Sequence, residues 1–149
     1  MKFEGFLHFN IRCSVSDLPA IEKFYGDLLG WKKGARPTFQ NPGIWLYDGD
    51  NPILHVSARF AEGSLAKSEK HSGAVDHIAF KASGAADFRK RLKQLGVGFE
   101  EQNIPDAGYQ VFLSDPVGTK LEFNFLKEQV ENGVPAGTVA RINMNTATA

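Results

Sequence analysis

Hydrophobic and polar residues alternate along several stretches of the chain with a period of two. This period is typical of β-strands, because successive side chains of a strand point to opposite faces. The clearest case is the run 120–125, KLEFNF. One face of this run is apolar and the other polar, with Leu121, Phe123 and Phe125 opposite Lys120, Glu122 and Asn124. The pattern predicts a strand that packs one face into a core and presents Glu122 on the other.

The stretch 74–126 shows strand periodicity on both sides of an amphipathic helical segment. It begins with an apolar run that carries His77, continues through a helical segment closed by Gly96, and ends with three further strand-like runs. In the first run, His77 shares its face with Val75, Ala79 and Lys81. The order of elements predicts a βαβββ module, with His77 on the first strand and Glu122 on the last.

The first half of the chain repeats this order between residues 5 and 57. His8 precedes His77 by 69 positions, and His55 precedes Glu122 by 67 positions. A repeat of this kind predicts two structural copies of one unit. Three of the four histidines and Glu122 therefore fall on equivalent strands of two modules.

The first strand of the first module presents His8, Asn10 and Arg12 on its polar face. A polar face of this kind borders either a binding cavity or solvent, and the pattern is the same in both cases. Trp45, on the third strand, either lines a pocket or packs in the core. The predicted helix begins at Ser16 or Asp17 and ends at Gly30, and the later strands cover 31–36, 44–47 and 53–57.

Two segments lack strand or helix periodicity. Residues 58–73, which include His71, are rich in Ser, Lys, Glu and Gly and are predicted to be a linker between the modules. Residues 127–149 form a polar tail that we expect to be partly disordered, or to lie on the surface or on a partner subunit. We therefore expect one domain over 1–149, with module 1 at 5–57 and module 2 at 74–126.

The composition is that of an ordinary globular protein, with 42% hydrophobic and 23% charged residues. Seventeen basic residues balance seventeen acidic ones, so the charge does not indicate a nucleic-acid or membrane partner. Cys13 is the single cysteine and cannot form an internal disulfide. The sequence shows no signal-peptide pattern and no membrane-spanning run. We expect a cytoplasmic protein.

His8, His55, His77 and Glu122 are the candidate metal ligands. Neutral imidazoles together with a carboxylate suit Fe, Mn, Ni, Co or Zn as a divalent ion, and ligand type alone does not choose among them. Each residue taken singly is more simply a core or surface histidine or a solvated carboxylate. Their coincidence at equivalent positions of the repeat favours a metal site.

Four motifs resemble those of a known family. They are the H-x-x-x-R spacing of His8 and Arg12, the helical segment SDL…FYGDLLGW, DHIAF at the start of the second module, and F-L-S-D-P-x-G-x-x-L-E at its end. Together they resemble the vicinal oxygen chelate superfamily, also called the glyoxalase, bleomycin-resistance and extradiol dioxygenase superfamily. The resemblance implies an α+β fold, in which two tandem βαβββ modules form a curved mixed sheet around a metal-binding cavity, with the helices outside.

The resemblance also implies a small-molecule substrate that chelates the metal through neighbouring oxygens. By analogy with glyoxalase I, Glu122 and His55 are the candidate catalytic residues and Arg12 binds a substrate carboxylate. Asn10, Lys81 and Trp45 are further candidates for substrate binding. Family members often pair the modules of two chains, so we expect a homodimer in which the ligands of one site can come from two subunits.

Three functions are consistent with the resemblance. The leading one is a lyase or isomerase of the glyoxalase I type, the second is an Fe(II)-dependent extradiol-type dioxygenase, and the third is a metal-free binding protein of the bleomycin-resistance kind. The chain departs from the first two families at one position each. Arg59 stands where glyoxalase I has an Asn, and Phe112 stands where extradiol dioxygenases have a Tyr. Lys120, on the face of Glu122, is expected to be its ion-pair partner.

Overall fold

The computed structural model describes residues 1–2, 5–62, 75–104, 108–126, 128, 130, 133–135 and 138–142. The chain divides into two compact units, Met1–Lys70 and His71–Ala149. Each unit contains one hydrogen-bonded sheet. Most of the predicted linker, from residue 63 onward, lies outside the described residues, and so does His71.

The first unit contains one long helix and four strands: β1 at Phe9–Cys13, α1 at Leu18–Leu29, β2 at Lys32–Lys33, β3 at Gly43–Asp48 and β4 at Asn51–Ala58. The strand order is β1-β4-β3-β2, and β1 runs parallel to β4. A short 3-10 turn at Val15–Asp17 leads into α1, and the Asp17 carboxylate accepts a hydrogen bond from the Ser14 backbone N–H (2.8 Å). Gly30, in the left-handed conformation with φ of 75°, ends α1.

The second unit contains one helix and five strands: β5 at Ile78–Lys81, α2 at Ala85–Gln94, β6 at Phe99–Ile104, β7 at Gly108–Ser114, β8 at Lys120–Phe125 and β9 at Thr138–Ile142. The strand order is β5-β8-β7-β6-β9, and β5 runs parallel to β8. No described helix is long and apolar enough to span a membrane.

The strand pairing confirms the predicted repeat of two βαβββ modules. In the first unit Asn10 lies opposite His55, and in the second unit Ala79 lies opposite Glu122. These two pairs are related by the sequence offsets of 69 and 67 positions found above. His8 lies two residues before Asn10, and His77 lies two residues before Ala79. The two sheets therefore have the same register, and the α+β fold class is confirmed.

The alternation also predicts the buried faces correctly. In β1 the burial alternates so that Phe9, Ile11 and Cys13 are buried while Asn10 and Arg12 are exposed. In β8 the apolar residues are buried as expected. Glu122 is buried as well, although it lies on the polar face.

Two elements differ from the predicted ones. Strand β2 covers only Lys32–Lys33 rather than 31–36, and beyond it the backbone carbonyl of Ala35 accepts a hydrogen bond from the Tyr47 side chain instead of from a neighbouring strand. The tail contributes β9, which pairs antiparallel with β6 as an edge strand. Residues 138–142 of the tail are therefore part of the sheet of the second unit.

Candidate functional site

His77 and Glu122 contact each other in the second unit. His77 lies immediately before β5, and the parallel pairing of β5 with β8 brings it to Glu122. Its Nε2 atom is 2.8 Å from Oε2 of Glu122, and its Nδ1 atom is 2.7 Å from Oδ1 of Asp76. The imidazole is thus held between two carboxylates. The Phe112 ring packs edge-on against it, with 5.6 Å between the ring centroids.

Two amide side chains orient the Glu122 carboxylate. Its Oε1 atom accepts hydrogen bonds from Nε2 of Gln110 (2.8 Å) and Nδ2 of Asn124 (3.0 Å). Gln110 in turn accepts a hydrogen bond of 2.6 Å from Gln102 on the neighbouring strand β6. Burial of a carboxylate is costly unless donors compensate the charge, and these contacts supply them. With Oε1 occupied by the amides, Oε2 is the atom directed at His77.

The residue types of this pair fit a divalent metal ion, because an imidazole nitrogen and a carboxylate oxygen are ordinary ligands of Zn²⁺ and Fe²⁺. The separation of 2.8 Å between Nε2 of His77 and Oε2 of Glu122 is that of a direct hydrogen bond, which metal binding would replace. Histidine ligands also commonly donate their second ring N–H to a carboxylate, and Asp76 occupies that position.

His8 and His55 contact each other in the first unit. Their rings stack with 3.8 Å between centroids, and Trp45 stacks on the other side of His55 at 3.8 Å with an interplanar angle of 3°. Because Trp45 lies opposite His55 in the register of β3 and β4, the sheet itself aligns these two rings.

The Nε2 atom of His55 is buried and has no hydrogen-bond partner among the described residues. The backbone of Pro52 hydrogen-bonds to the ring. Proline has no N–H, so the ring is the donor, and since Nε2 has no partner the donating atom is Nδ1. Burial lowers the pKa of His55, and the nearby positive charges of His8 and Arg36 lower it further against the opposing effect of the Pro52 bond. These contacts favour a neutral imidazole with the Nε2 lone pair free, which a metal ligand or a general base requires.

The candidate substrate residues are placed as follows. Asn10 and Arg12 are exposed on β1, and Asn10 donates a hydrogen bond to Oγ of Ser57 (3.2 Å). Trp45 covers His55. Lys81 is exposed at the end of β5. Lys120 pairs with Asp76 at 3.0 Å rather than with Glu122, because its side chain reaches outward to the exposed carboxylate.

The four candidate ligands therefore form two contacting pairs, one in each unit. Among the described residues, no group of three or more His, Cys, Asp or Glu side chains is arranged to hold a metal ion. The four-ligand set of His8, His55, His77 and Glu122 stays a prediction.

The sequence interpretation missed several residues around these pairs. Asp76 could have been found, because it directly precedes His77 in the chain. Gln110 and Asn124 lie opposite each other in β7 and β8, so the alternating polar face of these strands was a usable signal. Arg36 lies in the loop between β2 and β3, where no periodicity points to it.

Comparison with known proteins identifies the family. The sequence profile of the Glyoxalase/Bleomycin resistance protein/Dioxygenase superfamily matches residues 5–123. "Glyoxylase I 4" of Arabidopsis thaliana is 26% identical over an alignment of 119 residues, and the match covers 77% of this chain and 67% of the plant protein.

Solved structures give the same result. The trypanothione-dependent glyoxalase I of Leishmania major is 25% identical with a TM-score of 0.61, over 84% of this chain and 88% of that one. A glyoxylase/bleomycin resistance protein/dioxygenase domain from Frankia sp. EAN1pec shares the fold at 18% identity with a TM-score of 0.69, over 85% of this chain and 100% of that one. The repeated βαβββ modules, their common register and the profile match agree, and the chain belongs to the Glyoxalase/Bleomycin resistance protein/Dioxygenase superfamily.

Proposed function

We propose that the protein is a divalent-metal-dependent lyase or isomerase of the glyoxalase I type. Its substrate is a small metabolite that binds the metal through two neighbouring oxygens. The observation that carries this proposal is the His77–Glu122 pair, in which a ring nitrogen and a carboxylate oxygen lie 2.8 Å apart and are held in place by Asp76, Gln110 and Asn124. His8 and His55 are proposed as the remaining ligands, and Fe, Ni, Zn, Mn and Co are the candidate metals.

A divalent metal held by His8, His55, His77 and Glu122 would polarise a substrate carbonyl and lower the pKa of the adjacent C–H group. Glu122 is proposed to remove that proton at Oε2 and to return it to the neighbouring carbon, so the reaction needs no oxidant or reductant. The two amide donors on Oε1 keep the carboxylate from rotating during this transfer. As the alternative to metal binding, His55 is the second candidate for a general base, because its Nε2 atom has no hydrogen-bond partner among the described residues.

Three of the four candidate groups for substrate binding lie in the first unit, and the fourth, Lys81, lies in the second. Arg12 is proposed to bind a substrate carboxylate, for which the two-pronged guanidinium is well suited. Asn10 and Lys81 are further polar candidates, and the indole of Trp45 offers a flat surface for a planar group. By analogy with the family, we expect a homodimer, and a monomer in light scattering at micromolar concentration would contradict that expectation.

The proposal is tested by solvent-proton exchange. Protein loaded in turn with each candidate metal is incubated in D₂O with α-hydroxycarbonyl compounds and thiol adducts of α-ketoaldehydes, and deuterium incorporation is followed by NMR. We expect metal-dependent exchange that falls by a factor of about 10²–10⁴ in Glu122→Gln, the usual contribution of a general base. Lys93→Gln is the matched surface control. Exchange that is equal in wild type and Glu122→Gln would refute the role of Glu122.

The second candidate function is an Fe(II)-dependent dioxygenase. It is favoured by the three imidazoles of the proposed ligand set, whereas Phe112, whose ring packs against His77 where extradiol dioxygenases have a Tyr, counts against it. Oxygen consumption with catechol-type substrates, observed only with iron, would support it over the lyase. A metal-free binding protein is the third candidate, and it predicts that ligand affinity is unchanged in His77→Ala.

A further inference from the structure

Two neighbouring rows of residues cross the sheet of the first unit. The register of β1, β4 and β3 places Arg12 opposite Ser57, and Ser57 opposite Gly43. The neighbouring row, two residues away along each strand, consists of Asn10, His55 and Trp45. Residues two apart on a strand share a face, so Arg12 and Ser57 lie on the face that carries the stacked histidines.

The guanidinium of Arg36 lies beside Gly43 at the end of this row, close to the space that a side chain at position 43 would occupy. A Cβ atom at Gly43 would lie 3.2 Å from Nη2 of Arg36 and only 2.2 Å from the carbonyl oxygen of Val56, so the position admits glycine alone. Nη2 of Arg36 donates a hydrogen bond to the carbonyl oxygen of Asn41 (2.9 Å). The guanidinium of Arg36 therefore lies at one end of the row, beside Gly43, and Arg12 lies at the other end, with the strand spacing setting the Cα atoms of Arg12 and Gly43 about 10 Å apart.

The loop that carries Arg36 is fixed to β3 on both sides of its backbone. The Gly34 N–H donates to the carbonyl oxygen of Trp45 (3.1 Å), and the Tyr47 hydroxyl donates to the carbonyl oxygen of Ala35 (2.7 Å). The guanidinium is thus held in place before any ligand binds, which reduces the entropy lost on binding.

No described carboxylate compensates the positive charge at this row. Within the described part of the chain, neither Arg12 nor Arg36 has a carboxylate at ion-pair distance, and Nε of Arg36 is buried without a hydrogen-bond partner. A buried donor left unpaired costs about 1–3 kcal/mol. An anion bound between the two guanidinium groups, above the Ser57 hydroxyl, would compensate this positive charge.

Aromatic rings border the same row. The Phe39 ring covers the guanidinium of Arg36 at 4.7 Å and is half exposed. The Phe39 and Trp45 ring centroids are 6.3 Å apart, and Trp45 stacks on His55. A flat apolar surface therefore extends from the cationic row to the histidine pair.

We propose that Arg12, Ser57 and Arg36 form a carboxylate-binding subsite and that Phe39 and Trp45 hold a planar group beside it. The ligand class is a small aromatic or conjugated carboxylate. This inference rests on the proposed function, because it names the class of substrate for that site. It adds Arg36, Ser57 and Phe39 to the residues that determine specificity.

The test uses benzoate as the probe, with phenol and acetate as the uncharged and the non-aromatic comparisons. Binding to EDTA-treated protein is measured by calorimetry, so that the result does not depend on metal. We expect benzoate to bind more tightly than either comparison, and at least tenfold more weakly to Arg36→Gln and to Arg12→Gln. Phe39→Ala is expected to weaken benzoate binding and to leave acetate binding unchanged.

Lys32→Gln is the matched control, because it removes a positive charge from the same unit on the exposed strand β2. Thermal melting of each variant checks that it is folded. Equal benzoate affinity in wild type and Arg36→Gln, or no benzoate binding by the wild type, overturns the inference. The metal content of the same proteins is measured separately. Metal without benzoate recognition refutes this subsite alone, and benzoate recognition without metal refutes the proposed reaction alone.

Discussion

Replacing Tyr109 by phenylalanine removes a hydrogen bond from the buried carboxylate of Glu101 in β6. Glu101 is 2% exposed and accepts hydrogen bonds from Nε (2.8 Å) and Nη2 (3.2 Å) of Arg89 on α2, and from the Tyr109 hydroxyl. These contacts join the helix of the second unit to its sheet. Loss of any donor leaves a buried negative charge with less compensation.

The expected magnitudes follow from the type of each contact. A hydrogen bond to a charged group contributes about 1.5–3 kcal/mol, so Tyr109→Phe is expected to lower the free energy of unfolding by that amount. Removal of one partner of a buried ion pair costs about 3–5 kcal/mol, which is the expectation for Arg89→Met. The two substitutions share the Glu101 carboxylate, so their effects in the double variant should not be additive.

Urea unfolding followed by circular dichroism measures these differences. Tyr47→Phe is the matched control, because its hydroxyl donates to the uncharged carbonyl oxygen of Ala35 (2.7 Å) and its loss should cost about 1 kcal/mol or less. The reasoning fails if Tyr109→Phe costs no more than Tyr47→Phe. It also fails if Tyr109→Phe and Arg89→Met have additive effects.

The contact between Tyr109 and Glu101 also predicts that the stability of the protein falls at alkaline pH. Burial raises the pKa of Tyr109 well above its ordinary value, and the hydrogen bond to Glu101 raises it further. The unfolded chain therefore loses this proton at a lower pH than the folded protein. The stabilisation is complete below about pH 10 and is lost progressively as the pH rises above it. The decline should be smaller in Tyr109→Phe than in wild type.

Two further predictions concern the second helix and the first unit. The Glu128 carboxylate accepts the backbone N–H groups of Gly84 and Ala85 at the start of α2, so Glu128→Ala should cost about 1–2 kcal/mol in urea unfolding, and an unchanged midpoint would contradict this. Burial lowers the pKa of His55, so the unfolded chain binds its proton more readily. Stability is complete above about pH 6.5 and falls as the pH drops below it. His55→Gln should flatten this dependence in calorimetric melts between pH 5 and 7, and an unchanged slope would exclude His55 as its source.

The sequence predicts the modules well because their signal is local. Alternation along β8 assigns the buried faces of Leu121, Phe123 and Phe125 correctly. His55 and Glu122, which are 67 positions apart, lie at equivalent places in their modules. Each has the same register with the first strand of its module. The contact between His77 and Glu122 then follows from the parallel pairing of β5 and β8.

The features that the sequence did not predict depend on contacts between distant residues. Strand β9 forms by pairing with the free edge of β6. The tail lacks the alternation of hydrophobic and polar residues that would predict a strand there. Lys120 pairs with Asp76 rather than with Glu122 because of how its flexible side chain is oriented, which no strand pattern specifies. The position of Arg36 depends on the path of a loop fixed by Tyr47.

The metal content of the untagged protein, purified without chelator and measured by elemental analysis beside His77→Ala and Glu122→Ala, tests the central claim most directly. We predict a near-stoichiometric divalent metal in the wild type and its loss in both variants, with Lys93→Gln retaining it. Iron would favour oxygen chemistry, and nickel or zinc would favour the lyase. A wild-type protein that holds no metal even after reconstitution would contradict the account.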